Sequence, residues 1–138
     1  MTTFPSEPGL RPKAIIVDDD RDTREMLALA LDLDGYDVTQ AANGVKLIST
    51  LQVDRPDIIL LDINMSWIDG FELCRAVRRN EQFRDIPVLF VSARKSRADV
   101  NAGLASGADG YFSKPIDFDL LLGRMRELVQ RRSPRGRE

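Results

Sequence analysis

Four short apolar runs, each closed by a polar or charged residue, limit what this chain can fold into. Ile15-Ile16-Val17 leads into Asp18-Asp19-Asp20, Ile58-Ile59-Leu60-Leu61 into Asp62, Val88-Leu89-Phe90-Val91 into Ser92-Ala93, and Tyr111-Phe112-Ser113 into Lys114-Pro115. Unbroken aliphatic runs of this length fit strands buried on both faces, as in a parallel sheet. The segments between them are spaced as helices. Thr23–Leu33 carries Met26, Leu27, Ala30, Leu31 and Leu33 on one expected face, and Gly35 closes it. Tyr36–Ala41 alternates weakly and reads as an edge-like strand. A short helix from Asn43-Gly44 through Leu51 is expected to turn Val45, Leu47, Ile48 and Leu51 inward, with Arg55-Pro56 breaking it.

The second half repeats the pattern. After the central strand Ile58–Leu61 comes a loop through Gly70, then a helix Phe71–Arg79 burying Phe71, Leu73 or Cys74, and Val77. Strand Val88–Val91 follows Pro87. The helix Arg97–Ser106 is weak: Gly103 interrupts it, Val100 and Leu104 are its only large apolar residues, and Gly107 ends it. Strand Gly110–Ser113 precedes a last helix, Asp117–Arg132, with Phe118, Leu121, Leu122, Met125, Leu128 and Val129. Five strands alternating with five helices predict an α/β three-layer sandwich: a parallel five-stranded sheet, covered on both faces and joined by right-handed crossovers. Such sheets place their sites beyond the C-terminal strand ends, where strand order reverses. Carboxylates, one hydroxyl and one ammonium then converge on a single crevice. That set suits a magnesium-dependent site in which an aspartate carries a phosphoryl group.

Composition narrows the chemistry. The 138 residues fit one domain: a lead-in over 1–12, the folded unit over 13–132 and a polar, arginine-rich tail over 133–138. With no histidine, Ser-His-Asp and Cys-His catalysis and histidine-bound metals are excluded. The one cysteine, Cys74, cannot form an internal disulfide or a thiolate cage, and reads as a small core or boundary residue. A net charge of −2 gives no reason to expect direct nucleic-acid binding. No apolar stretch approaches the roughly 18 residues a membrane span needs, and Met1 to Pro12 has no signal-peptide core.

Read singly, most of the candidate residues stay ambiguous. Asp20 is best placed to cap the following helix, with Asp22 or Thr23 as other candidates. Asp18 and Asp19 read equally as caps or as metal ligands. Ser92 could simply end a strand, Lys114 could be a solvated lysine held by Pro115, and Tyr111 could be a core or surface aromatic. Asp62 differs because it interrupts the most apolar run, where an unpaired charge is costly. Clustered carboxylates repel one another, so a divalent cation is their natural partner.

Taken in order, Ile-Ile-Val-Asp-Asp-Asp at 15–20, Leu-Leu-Asp-Ile-Asn-Met at 60–65, Asp69-Gly70, Val-Ser-Ala at 91–93 and Gly-Tyr-Phe-Ser-Lys-Pro at 110–115 resemble the receiver domain of bacterial two-component response regulators, the chemotaxis regulator among them. The likeness covers roughly Pro12 to Arg132. It implies a flavodoxin-like (βα)5 fold with strand order 2-1-3-4-5. It implies Asp62 as phosphoacceptor, with Ser92 bonding and Lys114 pairing with the phosphoryl group. It implies Mg²⁺ (or Mn²⁺ in its place) bound directly by Asp19 and Asp62, by the backbone carbonyl of Asn64, and by Asp18 through water. Ser92 and Tyr111 would form the switch, and a cis peptide bond would join Lys114 to Pro115.

The implied partners are a sensor histidine kinase or histidine phosphotransfer protein, and a downstream protein target or fused effector. A homodimer through the surface of the fourth helix, fifth strand and fifth helix is also implied, without nucleic-acid or membrane contact. The resemblance places the chain in the cytoplasm, as a switch that modifies only itself. No effector motif follows Arg132, so the chain reads as a stand-alone regulator or as a piece of a longer one. An aspartyl-phosphate phosphatase is disfavoured because Asn64 stands where a second acid would be needed. A phosphorylation-independent module is disfavoured by the complete acid set. The chain departs from the family pattern at Ser66, where proline is usual, and at Ser92, where threonine is commoner. Trp67 is expected to pack over the loop beside the site. Arg94 is expected either to reach and shield the phosphoryl group or to be solvated.

Overall fold

The structure, a computed structural model, describes residues 11–132, the side chain of Arg132 excepted. The expected lead-in, apart from Arg11 and Pro12, and the tail lie outside the described residues. The chain alternates strand and helix: β1 (Lys13–Val17), α1 (Arg21–Leu33), β2 (Asp37–Ala41), α2 (Gly44–Val53), β3 (Ile58–Leu61), α3 (Gly70–Arg79), β4 (Val88–Ser92), α4 (Arg97–Ala105), β5 (Gly110–Ser113) and α5 (Phe118–Arg132). All four strand pairings are parallel, in the order β2-β1-β3-β4-β5.

Alternation along the strands builds the two outer layers, since successive side chains leave opposite faces. Ile15, Val17, Ile59, Leu61, Val88 and Phe90 pack with Leu47 and Leu51 of α2 and with Leu73, Cys74 and Val77 of α3. Ala14, Ile16, Ile58, Leu60, Leu89 and Val91 pack with Leu27 and Leu31 of α1 and with Leu121, Met125, Leu128 and Val129 of α5. β1, β3 and β4 are therefore apolar on both sides, whereas β2 at the sheet edge is largely exposed. Cys74 is a buried free thiol. Among the described residues, no helix is long and apolar enough to cross a membrane.

Local chemistry sets the helix ends. The Asp20, Asn43, Asp69 and Ser96 side chains each accept the N–H of the residue three places on, capping α1, α2, α3 and α4. Gly35 (φ 103) and Gly107 (φ 110) take the left-handed conformation that closes α1 and α4. At Gly35 the closure is complete: Tyr36 N–H reaches Leu31 O and Gly35 N–H reaches Asp32 O, both at 3.1 Å.

Helix faces are narrower than the sequence suggested. In α2 only Leu47 and Leu51 turn inward, while Val45 is 75% and Ile48 38% exposed. In α1, Leu27 and Leu31 are buried, but Met26 and Leu33 are exposed. Residues four apart share a face; their sequence neighbours lie about 100° round the helix and cannot all meet the same sheet. Phe71 is only partly buried, and Leu104 of α4 is exposed. Tyr36 is fully buried, in the turn before β2 rather than within the strand.

Candidate functional site

Sheet hydrogen bonds continue one residue past three strands and fix the residues found there. Asp18 N–H donates to Ala41 O at 3.1 Å, Asp62 N–H to Val17 O at 2.9 Å, and Lys114 N–H to Ser92 O at 2.9 Å. Asp18, Asp62 and Lys114 thus stand together at the C-terminal edge of β1, β3 and β5. The Lys114–Pro115 peptide is cis. Asp18, Asp19 and Asp62 each place a carboxylate oxygen within 4.8 Å of the other two. Asp18 is 2% and Asp62 7% exposed, while Asp19 faces solvent. Asp20 turns away to its cap, accepting from Thr23 N–H at 2.9 Å.

Lys114 Nζ lies 3.1 Å from Asp18 Oδ2 and 4.0 Å from Asp62 Oδ2, so Asp18 is its nearer partner. Asp18 Oδ1 also accepts from Asp20 N–H at 2.9 Å, and Asp62 Oδ1 accepts from Ile63 N–H at 2.8 Å. Burial pushes the Asp62 carboxyl above its ordinary range, and the neighbouring Asp18 adds to this. Lys114, Ser92 and the Ile63 N–H oppose the shift. Three carboxylates face one ammonium, an excess of two negative charges. An all-oxygen donor set of that charge fits a hard divalent cation, which takes a few protein oxygens and keeps several waters.

The rim is built from side chains on neighbouring loops. Ser92 is fully buried, and its Oγ accepts from Arg94 N–H at 3.2 Å. The Arg94 guanidinium is partly exposed to solvent, and its hydrogen bonds go to partners other than Asp62. It donates to Asn64 Oδ1 at 3.2 Å and Asp99 Oδ1 at 2.7 Å, and lies 5.5 Å from the centre of the Phe71 ring. One residue thereby ties the β3–α3 loop to α3 and α4. The Tyr111 hydroxyl donates to the Arg94 carbonyl, and its ring centre is 5.9 Å from that of Phe90. A Cβ on Gly103 would come within 2.9 Å of Tyr111 Cδ2, so this glycine, read in the sequence only as a weak point of α4, makes room for the tyrosine.

Trp67 does not pack over the loop, as the sequence led us to expect: it is 98% exposed, with φ 78. Ile68 N–H donates to Ser66 O at 2.9 Å across it, closing a γ-turn that points the ring outward. Gly70 is the residue whose role the sequence did not reveal. A Cβ there would lie 2.3 Å from Asp62 O and 2.8 Å from Ile63 Cα. The start of α3 therefore rests on the backbone that carries Asp62, and Gly70 N–H donates to Ile63 O at 2.8 Å.

Comparison with known proteins points the same way. The sequence model of the response regulator receiver domain matches residues 14–126. Response regulator MprA of Mycobacterium avium (strain 104) is 42% identical over 122 residues, covering 88% of this chain and 53% of that protein. The chain thus spans about half the length of the curated relatives it matches. A putative response regulator from Chloroflexus aurantiacus superimposes with a TM-score of 0.83 at 32% identity, covering 87% of this chain and 98% of that one. Chemotaxis protein CheY4 of Vibrio cholerae gives 0.79 at 33% identity, covering 86% and 98%.

Proposed function

The chain belongs to the response regulator receiver family, and from that premise we propose that Asp62 accepts a phosphoryl group from a phosphohistidine on a sensor histidine kinase or phosphotransfer protein. The observation that carries this reading is the meeting of Asp18, Asp19 and Asp62 opposite Lys114 at one sheet edge. An Asp62 carboxylate oxygen attacks phosphorus in line. The P–O bond to Asp62 forms as the P–N bond to the imidazole breaks, and the ring leaves neutral, taking the bonding pair on one nitrogen and keeping the proton already on the other. Asp19, Asp62 and the Asn64 backbone carbonyl would hold Mg²⁺, with Asp18 acting through water. When bound, the ion neutralises charge on the equatorial phosphoryl oxygens.

Lys114 is already 4.0 Å from Asp62 Oδ2, and pairs with the new anion at small cost in movement. The Ser92 hydroxyl is drawn toward the same oxygens. Tyr111, hydrogen-bonded to the Arg94 carbonyl on the loop that leaves Ser92, carries that shift to α4, β5 and α5. The outcome is a bias between two arrangements of that surface, which a downstream target, a fused effector or a second copy would read. On this reading the chain works in the cytoplasm and modifies only itself.

Treatment with acetyl phosphate and Mg²⁺, followed by intact mass, tests the proposal. The chain should gain one phosphoryl group, and excess chelator should prevent it. Addition without any divalent ion would overturn the metal's part. Asp19→Asn offers a second test. Because Asp19 faces solvent, stability should change by less than about 0.5 kcal/mol. Mg²⁺ affinity by calorimetry should fall at least about tenfold, since even outer-shell changes cost that much.

A further inference from the structure

We propose that Trp67 is a specificity-determining contact for the protein that delivers the phosphoryl group, an anchor that a small phosphodonor does not use. The inference rests on the proposed phosphotransfer at Asp62 and goes beyond it by naming a residue and the chemistry it recognises.

Three observations converge on Trp67. Among the described residues it is the only non-glycine with positive φ, at 78, a conformation a bulky side chain adopts at a cost. The Ile68 N–H to Ser66 O bond at 2.9 Å closes the turn around it, of the rare positive-φ kind. The indole is 98% exposed, and among the described residues it is the one exposed large hydrophobic side chain that does not lie on a helix. Neither fold stability nor the acid cluster accounts for an indole held outward in a strained turn.

Access to Asp62 identifies what meets it. Asp62 is 7% exposed at the C-terminal sheet edge, so a phosphohistidine must approach over the loops that surround it. Trp67 lies five positions beyond Asp62 in the β3–α3 loop. Exposed Asn64 shares that loop, and exposed Asp19 and Lys95 stand on the neighbouring ones. A protein surface large enough to present a phosphohistidine covers this rim, whereas acetyl phosphate does not. Beside exposed Asn64, Asp19 and Lys95, the indole supplies the large, rigid apolar area typical of energetically dominant contacts. The recognised feature is therefore an apolar pocket beside the phosphohistidine on the donor protein.

The test compares two donors on wild type, W67G and W67F. The small donor is acetyl phosphate with Mg²⁺. The protein donor is whichever autophosphorylated histidine kinase, or phosphotransfer protein phosphorylated by one, of the source organism transfers fastest to the wild-type chain. Glycine suits the left-handed turn, so W67G should melt no lower than wild type and should accept from acetyl phosphate at an unchanged rate. Its kcat/KM for transfer from the protein donor should fall at least about tenfold, with W67F retaining most of the wild-type rate.

Equal rates with the protein donor would overturn the proposal. So would equal slowing with both donors, which would make the residue a support of the loop. If acetyl phosphate labels wild type and no kinase or phosphotransfer protein does, there is no protein donor to recognise and the proposal falls. If neither labels it, the phosphotransfer reading itself has failed.

Discussion

Asp62→Asn is expected to abolish phosphoryl uptake and, with chelator present, to raise the melting temperature at neutral pH. The carboxyl is 7% exposed, stands beside buried Asp18, and is pushed above its ordinary range chiefly by burial. The sign follows from linkage. A folded-state value above the unfolded one means that the fold binds the Asp62 proton more tightly than the open chain does. Its stabilising contribution is complete below the unfolded value and is lost as pH rises through the folded one. At neutral pH and without metal, the ionised group therefore opposes folding, and the neutral amide removes that opposition. Thermal melts of both proteins across acid to neutral pH, in chelator, should converge at low pH and separate as pH rises, with the variant higher. Mg²⁺ should then raise the wild-type melting temperature more than the variant's. A variant that melts lower at neutral pH would contradict this reading of the site.

Gly70→Ala should be the most damaging glycine-to-alanine change among the described residues. The added carbon would stand 2.3 Å from Asp62 O, 2.8 Å from Ile63 Cα and 3.0 Å from Asp62 C, all backbone atoms that cannot swing aside. Relief requires α3 to withdraw or the 62–63 peptide to rotate, and either displaces the Asp62 carboxylate. Overpacking of this kind costs about 3 kcal/mol, and Mg²⁺ binding and phosphoryl uptake should fall with it. The same substitution at Gly123 is the control. That residue lies within α5, where a Cβ would meet nothing within 4 Å. There, alanine should stabilise by up to about 1 kcal/mol through helix propensity alone. Urea unfolding of both variants checks the pair, and a Gly70→Ala protein as stable as wild type would refute the close-contact account.

These two glycines also show what a sequence carries and what it conceals. The strand ends were legible because a strand buried on both sides must be apolar throughout, so its first polar residue marks the exit. Asp18 and Asp62 stand one residue beyond β1 and β3 for that reason. The cap at Asp20, the helix start at Asn43-Gly44 and the stops at Gly35 and Gly107 were legible as local chemistry. The steric demand at Gly70 was not, because it arises only when α3 folds back onto the Asp62 peptide. The inward faces of α1 and α2 were overdrawn, since neither Met26 nor Val45 reveals in one dimension which side meets the sheet.

Long side chains were the least legible. Nothing in the sequence routes Arg94 to Asn64, Asp99 and Phe71, or gives Lys114 to Asp18 before Asp62. Trp67 was misjudged for a related reason. An aromatic in a short loop is ordinarily expected to find cover, and the turn that denies it cover depends on a backbone angle that the residue type disfavours.

Chemical trapping identifies directly which oxygen takes the phosphoryl group. Borohydride reduces an acyl phosphate to the alcohol, so an aspartyl phosphate is recovered as homoserine at the position that carried it. After treatment with acetyl phosphate and Mg²⁺, peptide sequencing by mass spectrometry should find homoserine at position 62 and at no other aspartate. Homoserine at 18 or 19, or none in a chain that has gained phosphate, would contradict Asp62 as the phosphoacceptor.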